Sequence, residues 1–154
     1  MDVTGLLSPK AVKVVSGHSS KKRLFSDIAA LVRDAYDLNC DSVVDALLER
    51  ETLGPTGVGH GVALPHARID GLDTVIGAFV KLERPVDFSA ADRQPVDLVF
   101  CLLASQKAGV DHLKALAVVS RTLRDSGICD KLRANADPGT LHTILTEKQT
   151  IQAA

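Results

Sequence analysis

The sequence reads GVGHGVALPHAR from Gly57 to Arg68, and the organisation of the chain can be worked out from this stretch. Its three glycines stand at alternate positions and give a loop whose backbone can approach another group closely. The apolar residues 62–64 then predict a short strand, which Pro65 ends. A residue before proline is held in extended geometry, so we expect His66 just past the strand end, where loops usually carry function.

On the N-terminal side of this stretch, the pattern predicts one strand and two helices. Valines within residues 11–15 indicate the strand. Apolar residues recur every three to four positions through residues 20–38, which predicts an amphipathic helix. Asp41 can cap a second helix that ends near Gly54 and Pro55. The inward face of this second helix is expected to comprise Val44, Leu47 and Leu48.

On the C-terminal side, residues 75–82 and 96–103 are the strongest strand candidates. The second run is almost continuously apolar, which indicates a central strand covered on both faces. A helix is expected to begin near Asp111, followed by a short helix over residues 128–133. A last helix begins at residues 137–138, because aspartate caps a helix and proline suits its first position. The inward side of the helix near Asp111 is expected to comprise Leu113, Leu116, Ala117, Ser120 and Leu123.

Helices and strands interleave along the chain, but some strands follow one another through short loops. This order predicts an α/β fold with a mixed β-sheet flanked by α-helices. At 154 residues, the chain is expected to form a single domain over residues 1–154, since this length buries a core without disulfides. The core of that domain should extend over residues 6–146. The tail from Thr146 lacks an apolar pattern, and we expect it to fray.

The composition argues against several classes of protein. A net charge of -1 argues against general nucleic-acid binding, and an aromatic content of 3% leaves few rings on which bases could stack. No apolar run approaches the roughly 20 residues that span a bilayer, and the first residues lack the features of a secretory signal. We therefore expect a cytoplasmic protein without membrane insertion. The widely spaced cysteines predict buried, reduced thiols at Cys40, Cys101 and Cys129.

His66 has the properties of a phosphoryl acceptor. A neutral imidazole is a competent nucleophile near pH 7, because its reference pKa of about 6.5 leaves the lone pair free on much of the population. Phosphoryl transfer depends mainly on positioning and charge stabilisation, to which the glycines and Arg68 could contribute. From the residues alone, a structural role explains His66 equally well.

Two further residues could assist such a reaction. His112 stands at the predicted start of a helix, where free N–H groups and the helix dipole favour an anion. Spacing alone nevertheless favours an exposed residue without a function there. Arg50 ends the second helix just before the glycine-rich stretch. Its guanidinium could pair with phosphate oxygens, or it could only complement the helix dipole.

Other kinds of site fit the pattern less well. His60 and His66 could be metal ligands, but no cysteine or carboxylate stands at the spacing of a zinc site, so we expect no metal. The sequence has no Gly-x-Ser-x-Gly segment of a serine hydrolase and no Gly-x-x-x-x-Gly-Lys-Ser/Thr loop for a nucleotide. We expect no cofactor.

The run from Arg50 to His66 resembles the signature of enzyme IIA domains of the fructose/mannitol class of the phosphoenolpyruvate-dependent phosphotransferase system (PTS EIIA type 2). Within that class it is most similar to the nitrogen-regulatory branch. Residues 85–88 (PVDF), 94–100 (QPVDLVF) and 112–116 (HLKAL) support the resemblance. The similarity extends roughly from residue 6 to residue 145. The fold of this family, a mixed sheet between helices, agrees with the prediction above.

The resemblance implies that His66 accepts a phosphoryl group on Nε2 and becomes a tele-phosphohistidine. The donor it implies is an HPr-like phosphocarrier, called NPr in this branch. His112 and Arg50 match the residues that stabilise the phosphoryl group in the family. We assign only accessory roles to Arg68 and to His60, whose position varies in the family.

The resemblance also implies a regulator whose phosphorylation state alters its binding to target proteins. In this branch the targets include potassium-transport systems and sensor kinases. Sugar-transporting members instead pass phosphate to IIB and membrane IIC domains, neither of which this sequence contains. Two alternatives stay open: a stand-alone sugar-specific IIA that hands phosphate to a separate IIB, and a non-catalytic binding module. The set of Arg50, His66 and His112 argues against the binding module.

Overall fold

The computed structural model describes residues 1–16, 20–39 and 41–147. In this part of the chain, the strands form one mixed sheet and helices flank it. The strands are β1 (Leu7–Val15), β2 (Gly57–Gly59), β3 (Val62–Ala63), β4 (His66–Ile69), β5 (Ile76–Val86) and β6 (Val96–Ser105). The helices are α1 (Val3–Leu6), α2 (Lys21–Tyr36), α3 (Val43–Thr52), α4 (Val110–Arg124), α5 (Ser126–Ala134) and α6 (Pro138–Thr146). The predicted α/β fold with a mixed sheet is confirmed.

Strand β6 is the centre of the sheet, in which the strand order is β1-β5-β6-β3-β2. β6 pairs antiparallel with β5 on one side, and in parallel with β3 and then β4 on the other. β1 pairs in parallel with β5, and β2 pairs antiparallel with β3. Most side chains of β6 are buried whichever face they occupy, as the continuous apolar run predicted.

Two predicted strands are longer in the structure than their apolar patterns. β1 begins at Leu7, which pairs with Gly77, and β5 continues to Val86, which pairs with Val96. The sequence pattern missed these ends because backbone pairing does not require a continuous run of apolar side chains.

His66 follows the end of β3, as expected, but the expectation that it lies in a loop is wrong, because this residue begins β4. Pro65 has no N–H group, but its carbonyl accepts a hydrogen bond from the Leu102 N–H at 3.0 Å. The chain therefore stays beside β6 through the proline, and His66 pairs with Leu102. Pro65 lacks only the N–H donor that strand pairing uses, and β4 begins at the next residue.

Asp41 does not cap α3, contrary to the prediction. Its N–H donates to the Asn39 side-chain oxygen at 3.3 Å in a turn before the helix. The helix begins at Val43, which is buried together with Leu47. The other two residues predicted to face inward are only half-buried. The predicted face was displaced because Val43 was left out of the helix.

Helix α4 begins close to the predicted position but buries a different face. His112, Ala115, Val119 and Leu123 are buried, whereas Leu113 is 64% exposed. Of the five residues predicted to face inward, only Leu123 is buried. The pattern misled because a histidine, which was counted as polar, occupies the first inward position of the helix.

The core is mainly aliphatic, with a small number of aromatic contacts such as Phe79 against Phe100 at 6.2 Å between ring centroids. Cys101 and Cys129 are buried free thiols, as predicted. Cys40 and the tail beyond residue 147 lie outside the described residues. In the described part of the chain, no helix is both long enough and apolar enough to cross a membrane.

Tyr36 bridges an irregularity between β1 and β5, where the register shifts after Leu7. Its hydroxyl donates to the Gly77 carbonyl at 2.6 Å and accepts the Ser8 N–H at 3.0 Å. Tyr36→Phe removes the hydroxyl partner of both backbone groups, so we expect the free energy of unfolding to fall by about 1–3 kcal/mol. Urea unfolding of the two proteins measures this difference. An unchanged unfolding midpoint would contradict the role of the hydroxyl.

Candidate functional site

His66 lies half-buried at the start of β4, on the same face of the strand as Arg68. Its Nδ1 atom is 2.9 Å from the Leu64 carbonyl oxygen. A carbonyl oxygen can only accept a hydrogen bond, so Nδ1 carries the ring proton when the histidine is neutral. Nε2 is then unprotonated, and its lone pair is the nucleophilic one.

Arg50, on the last turn of α3, contacts the Nε2 atom of His66. Its Nε donates to this atom at 3.2 Å, and its Nη1 donates to the Gly54 carbonyl at 3.0 Å. The backbone therefore holds one end of the guanidinium while the other end reaches the histidine. A cation fixed beside Nε2 is well placed to meet an anionic group that becomes attached there.

His112 lies against His66, with the ring centroids 5.4 Å apart and the ring planes at 53°. It is only 6% exposed, so the interpretation of an exposed helix-start residue is wrong. Its buried Nδ1 has no hydrogen-bond partner among the described residues. Because a buried N–H without an acceptor is rarer than an unpaired acceptor, we place the ring proton on Nε2. His112 then offers an Nε2–H donor.

Both histidines favour the neutral form. Burial lowers the pKa of His66, the hydrogen bond with the Leu64 carbonyl opposes this shift, and the charge of Arg50 adds to it. Burial, together with the neighbouring His66 and Arg68, lowers the pKa of His112 to about 4. Near pH 7, His66 therefore keeps a free lone pair and His112 is a neutral donor.

The low pKa of His112 makes the stability of the protein depend on pH. Between pH 6.5 and about 4, the unfolded chain binds a proton on this histidine and the folded chain does not. The free energy of unfolding is therefore expected to fall as the pH drops through this window, by up to about 1.4 kcal/mol per pH unit for this proton.

Urea unfolding across this pH window, for the wild type and for His112→Gln, measures that contribution. The variant lacks the titrating group, so its stability should fall less steeply with decreasing pH. Changes from the carboxylates are common to both proteins and cancel in the comparison. Equal slopes for the two proteins would show that this histidine does not contribute.

The structure places Arg68 near the paired histidines and His60 in a different setting. The charge of Arg68 contributes to the low pKa of His112. His60 is exposed in the turn between β2 and β3, with φ at 56°. Its N–H donates to Asp92 Oδ2 at 2.8 Å, and its carbonyl accepts from Arg133 Nη2 at 2.7 Å. These contacts give the His60 backbone a structural part in the turn.

The sequence interpretation missed a buried carboxylate beside Arg50. The Glu51 side chain is 6% exposed and lies 2.8 Å from Lys21 Nζ. It also accepts hydrogen bonds from the Thr56 N–H at 3.2 Å and from the Thr56 hydroxyl. Its signals in the sequence were its position next to Arg50 and its place in the run from Arg50 to His66 that carries the family resemblance. Helix periodicity alone gives no reason to bury a carboxylate, because glutamate is seldom buried.

The arrangement can receive an anionic group on the Nε2 atom of His66. The atom has a free lone pair, a fixed guanidinium beside it and a second imidazole within reach of the same space. Among the described residues, no three His, Cys, Asp or Glu side chains are grouped so that they could hold a metal ion. The roles of these residues in phosphoryl transfer stay a prediction, for which the geometry specifies the atom of each side chain that would take part.

Comparisons with known proteins give concordant results. The family described as "Phosphoenolpyruvate-dependent sugar phosphotransferase system, EIIA 2" matches residues 5–148. The "Nitrogen regulatory protein" of Bradyrhizobium diazoefficiens is 45% identical over 145 residues, which cover 94% of this chain and 95% of that protein. The crystal structure of nitrogen regulatory protein IIA-Ntr from Neisseria meningitidis superposes with a TM-score of 0.83 at 34% identity, covering 94% and 99% of the two chains. The "PTS system fructose-specific EIIA component" of Haloferax volcanii is 32% identical over 151 residues, covering 96% and 98%.

Proposed function

The chain belongs to the EIIA 2 family of the phosphoenolpyruvate-dependent sugar phosphotransferase system, in its nitrogen-regulatory branch, and from this premise we propose that it is a phosphorylation-controlled regulator. In this proposal, Nε2 of His66 accepts a phosphoryl group from the histidine of an HPr-like carrier (NPr). The phosphorylation state then sets which target proteins the chain binds. The proposal places the protein in the cytoplasm, where phosphoenolpyruvate is the first donor.

One observation carries the proposal above all others: the hydrogen bond from Arg50 Nε to His66 Nε2 at 3.2 Å. It marks the atom that has the lone pair and sets a positive charge beside it. A histidine that only stabilised the fold would not need a guanidinium at its unprotonated nitrogen, since that charge makes protonation of the ring harder. A bound phosphoryl group gains from the same charge.

The transfer step balances without an added acid or base. The N–P bond of the carrier's phosphohistidine breaks and its electron pair stays on the carrier nitrogen, while a new N–P bond forms to His66 Nε2. The proton on His66 Nδ1 stays in place, and the Leu64 carbonyl stabilises the positive charge that develops on the ring. Arg50 and the Nε2–H of His112 donate to the phosphoryl oxygens.

In this proposal, phosphorylation adds negative charge to a site whose residues Arg50 and His112 have exposed apolar neighbours in the sequence. A phosphoryl group adds up to about two negative charges. Leu53, just beyond α3, is 81% exposed, and Leu113, next to His112, is 64% exposed. A partner that packs on such residues would meet a different potential in the two states. Potassium-transport systems and sensor kinases are the targets proposed from the family branch.

A second candidate function is that of a sugar-specific IIA that hands its phosphoryl group to a separate IIB. The similarity to the fructose-specific EIIA component of Haloferax volcanii favours it. The two functions share the acceptor and differ in the next step. Loss of label from the phosphorylated chain on adding a fructose- or mannitol-type IIB would support the transport function, and retention of the label would support the regulator.

The test of the shared step is phosphorylation of the purified protein. We expect incubation with phosphoenolpyruvate, the first phosphotransferase enzyme and an HPr-like carrier to add about 80 Da, the mass of one phosphoryl group on an imidazole nucleophile. The gain should be lost in acid, because phosphohistidine is acid-labile. If no mass is gained while a known IIA is labelled in parallel, the chain is a binding module without phosphotransfer.

A further inference from the structure

Glu51 carries a buried charge that the transfer step above does not use. A buried carboxylate is costly unless it is paired and its oxygens accept hydrogen bonds. Glu51 meets both conditions, through Lys21 on one side and the N–H and hydroxyl of Thr56 on the other. Such a fully paired group at the end of α3, next to Arg50, fixes the geometry of its surroundings.

The contacts of Thr56 lead from this carboxylate to the ring of His66. The Thr56 carbonyl accepts the Leu64 N–H at 2.9 Å. The Leu64 carbonyl is in turn 2.9 Å from His66 Nδ1 and determines which ring nitrogen is protonated. The positions of Thr56 and Leu64 are therefore coupled, and a displacement of Thr56 would move the acceptor that orients the ring.

The other side of the carboxylate is anchored to a different part of the fold. Lys21 Nζ, on the first turn of α2, also donates to the Phe88 carbonyl at 3.3 Å and lies 4.9 Å from the centroid of the Phe88 ring. Phe88 is fully buried. Lys21 is therefore held by the packed core, and it holds the carboxylate of Glu51 in one orientation.

The two consecutive residues Arg50 and Glu51 hold the same short loop. Arg50 donates to the Gly54 carbonyl, and Glu51 accepts from Thr56. The loop connects α3 to β2 and contains the exposed Leu53. One helix end thus positions both the guanidinium at Nε2 and, through the loop, the carbonyl at Nδ1.

We infer that Glu51 is a positioning residue for phosphoryl transfer: by holding Thr56, it fixes the Leu64 carbonyl and, through it, the tautomer and orientation of the His66 ring. The inference rests on the proposed function of His66. A misplacement of about 1 Å at a reacting atom can slow a reaction on the order of a hundredfold. The charge of Glu51 also acts on the site directly, because it opposes the lowering of the pKa of His66 by burial.

The test compares variants that break the contact between the Glu51 carboxylate and Thr56 from either partner. Glu51→Ala removes the carboxylate, and Thr56→Val removes the hydroxyl donor at nearly constant volume. Thr56→Ser keeps the hydroxyl and is the conservative control. Glu49→Ala changes an exposed glutamate on the same helix and controls for the loss of a surface charge. Thermal unfolding by circular dichroism checks each fold, and the isosteric Glu51→Gln replaces Glu51→Ala if that variant does not fold.

Two readouts separate positioning from simple loss of structure. The first is the rate of phosphoryl transfer from the carrier, which we expect Glu51→Ala and Thr56→Val to lower by about tenfold to a hundredfold. The second is nitrogen-15 NMR of the unphosphorylated His66 ring, which reports its tautomer and its pKa. We expect both variants to gain Nε2-protonated tautomer and Glu51→Ala to lower the pKa, while Thr56→Ser and Glu49→Ala stay close to the wild type.

Wild-type ring signals in folded Glu51→Ala and Thr56→Val would overturn the inference, whatever the rate. A slowed rate with unchanged ring signals would show that Glu51 affects the transfer by a route other than positioning the His66 ring. The NMR readout needs no phosphorylation, so it still decides the inference if the wild type accepts no phosphoryl group. In that case the proposed function of His66 fails separately.

Discussion

His66→Ala is expected to abolish phosphorylation completely while the protein stays folded. Among the described residues, the substitution removes the one imidazole whose Nε2 accepts a hydrogen bond from a guanidinium while its Nδ1 faces a carbonyl oxygen. The carrier's phosphoryl group then has no nucleophile at this site, and the effect is a loss of labelling and not a slower rate. His66 is half-buried at a strand start and contributes little to the packed core. The free energy of unfolding should therefore change by only about 1 kcal/mol, the usual contribution of a lost hydrogen bond.

Intact-protein mass after incubation with the donor system measures this prediction. His60→Asn is the matched control, because it removes another imidazole while asparagine tolerates the positive φ of 56° at that position. We expect the control to gain one phosphoryl group as the wild type does. Retained labelling of His66→Ala would place the acceptor elsewhere. Labelling lost in His60→Asn as well would require a larger role for the turn.

The second-largest effect is expected from the removal of the guanidinium at Nε2. Arg50→Met keeps much of the side-chain length and apolar contact but loses the charge and both hydrogen bonds, to His66 and to Gly54. Removal of one preorganised donor of this kind typically slows a reaction by about 10²–10³. We expect transfer to His66 to slow by a factor in this range. Arg50→Lys should fall in between, because it keeps the charge but cannot hold both acceptors at once.

Arg50→Met also gives an independent readout on the acceptor, namely the pKa of His66. The charge of Arg50 helps to lower the pKa of His66, so Arg50→Met should raise that pKa. The imidazole becomes more basic, and a slower transfer then cannot be explained by a weaker nucleophile. Rapid-mixing measurement of the transfer rate and NMR titration of His66 test the two parts. An unchanged rate would remove Arg50 from the mechanism, and an unchanged pKa would contradict its contact in solution.

Much of the fold could be predicted because its determinants are local in the sequence. The apolar run at residues 96–103 indicated a central strand, and the 3.6-residue periodicity of residues 20–38 indicated α2. The inward faces of two helices were predicted wrongly, because in each helix one residue shifted which positions are buried. Val43 displaced the predicted face of α3, and His112 displaced that of α4. In both cases tertiary packing decided which face was buried, and a periodicity count does not contain that information.

The main residues of the candidate site were predicted from the sequence, but the contacts that hold them in place were not. His66, Arg50 and His112 were selected from the sequence, and the structure brings their side chains together. The Glu51–Thr56 pair was missed because its role depends on burial of a carboxylate between two helices and a loop, which no spacing rule indicates. Pro65 was misjudged for a related reason, since its carbonyl bonds to a strand that lies far away in the sequence.

The pairing of strand β6 on both sides determines how its backbone amides become exposed to solvent. Its backbone is paired on both sides, and the strand His66–Ile69 is one of its partners. Amides buried in a paired central strand exchange their hydrogens only when a large part of the structure unfolds. The exchange rate along β6 therefore reports the global stability of the protein. Local exchange around His66 and the loop after α3 reports the much smaller openings at its edge, and a change that appears only there identifies a local response to phosphorylation.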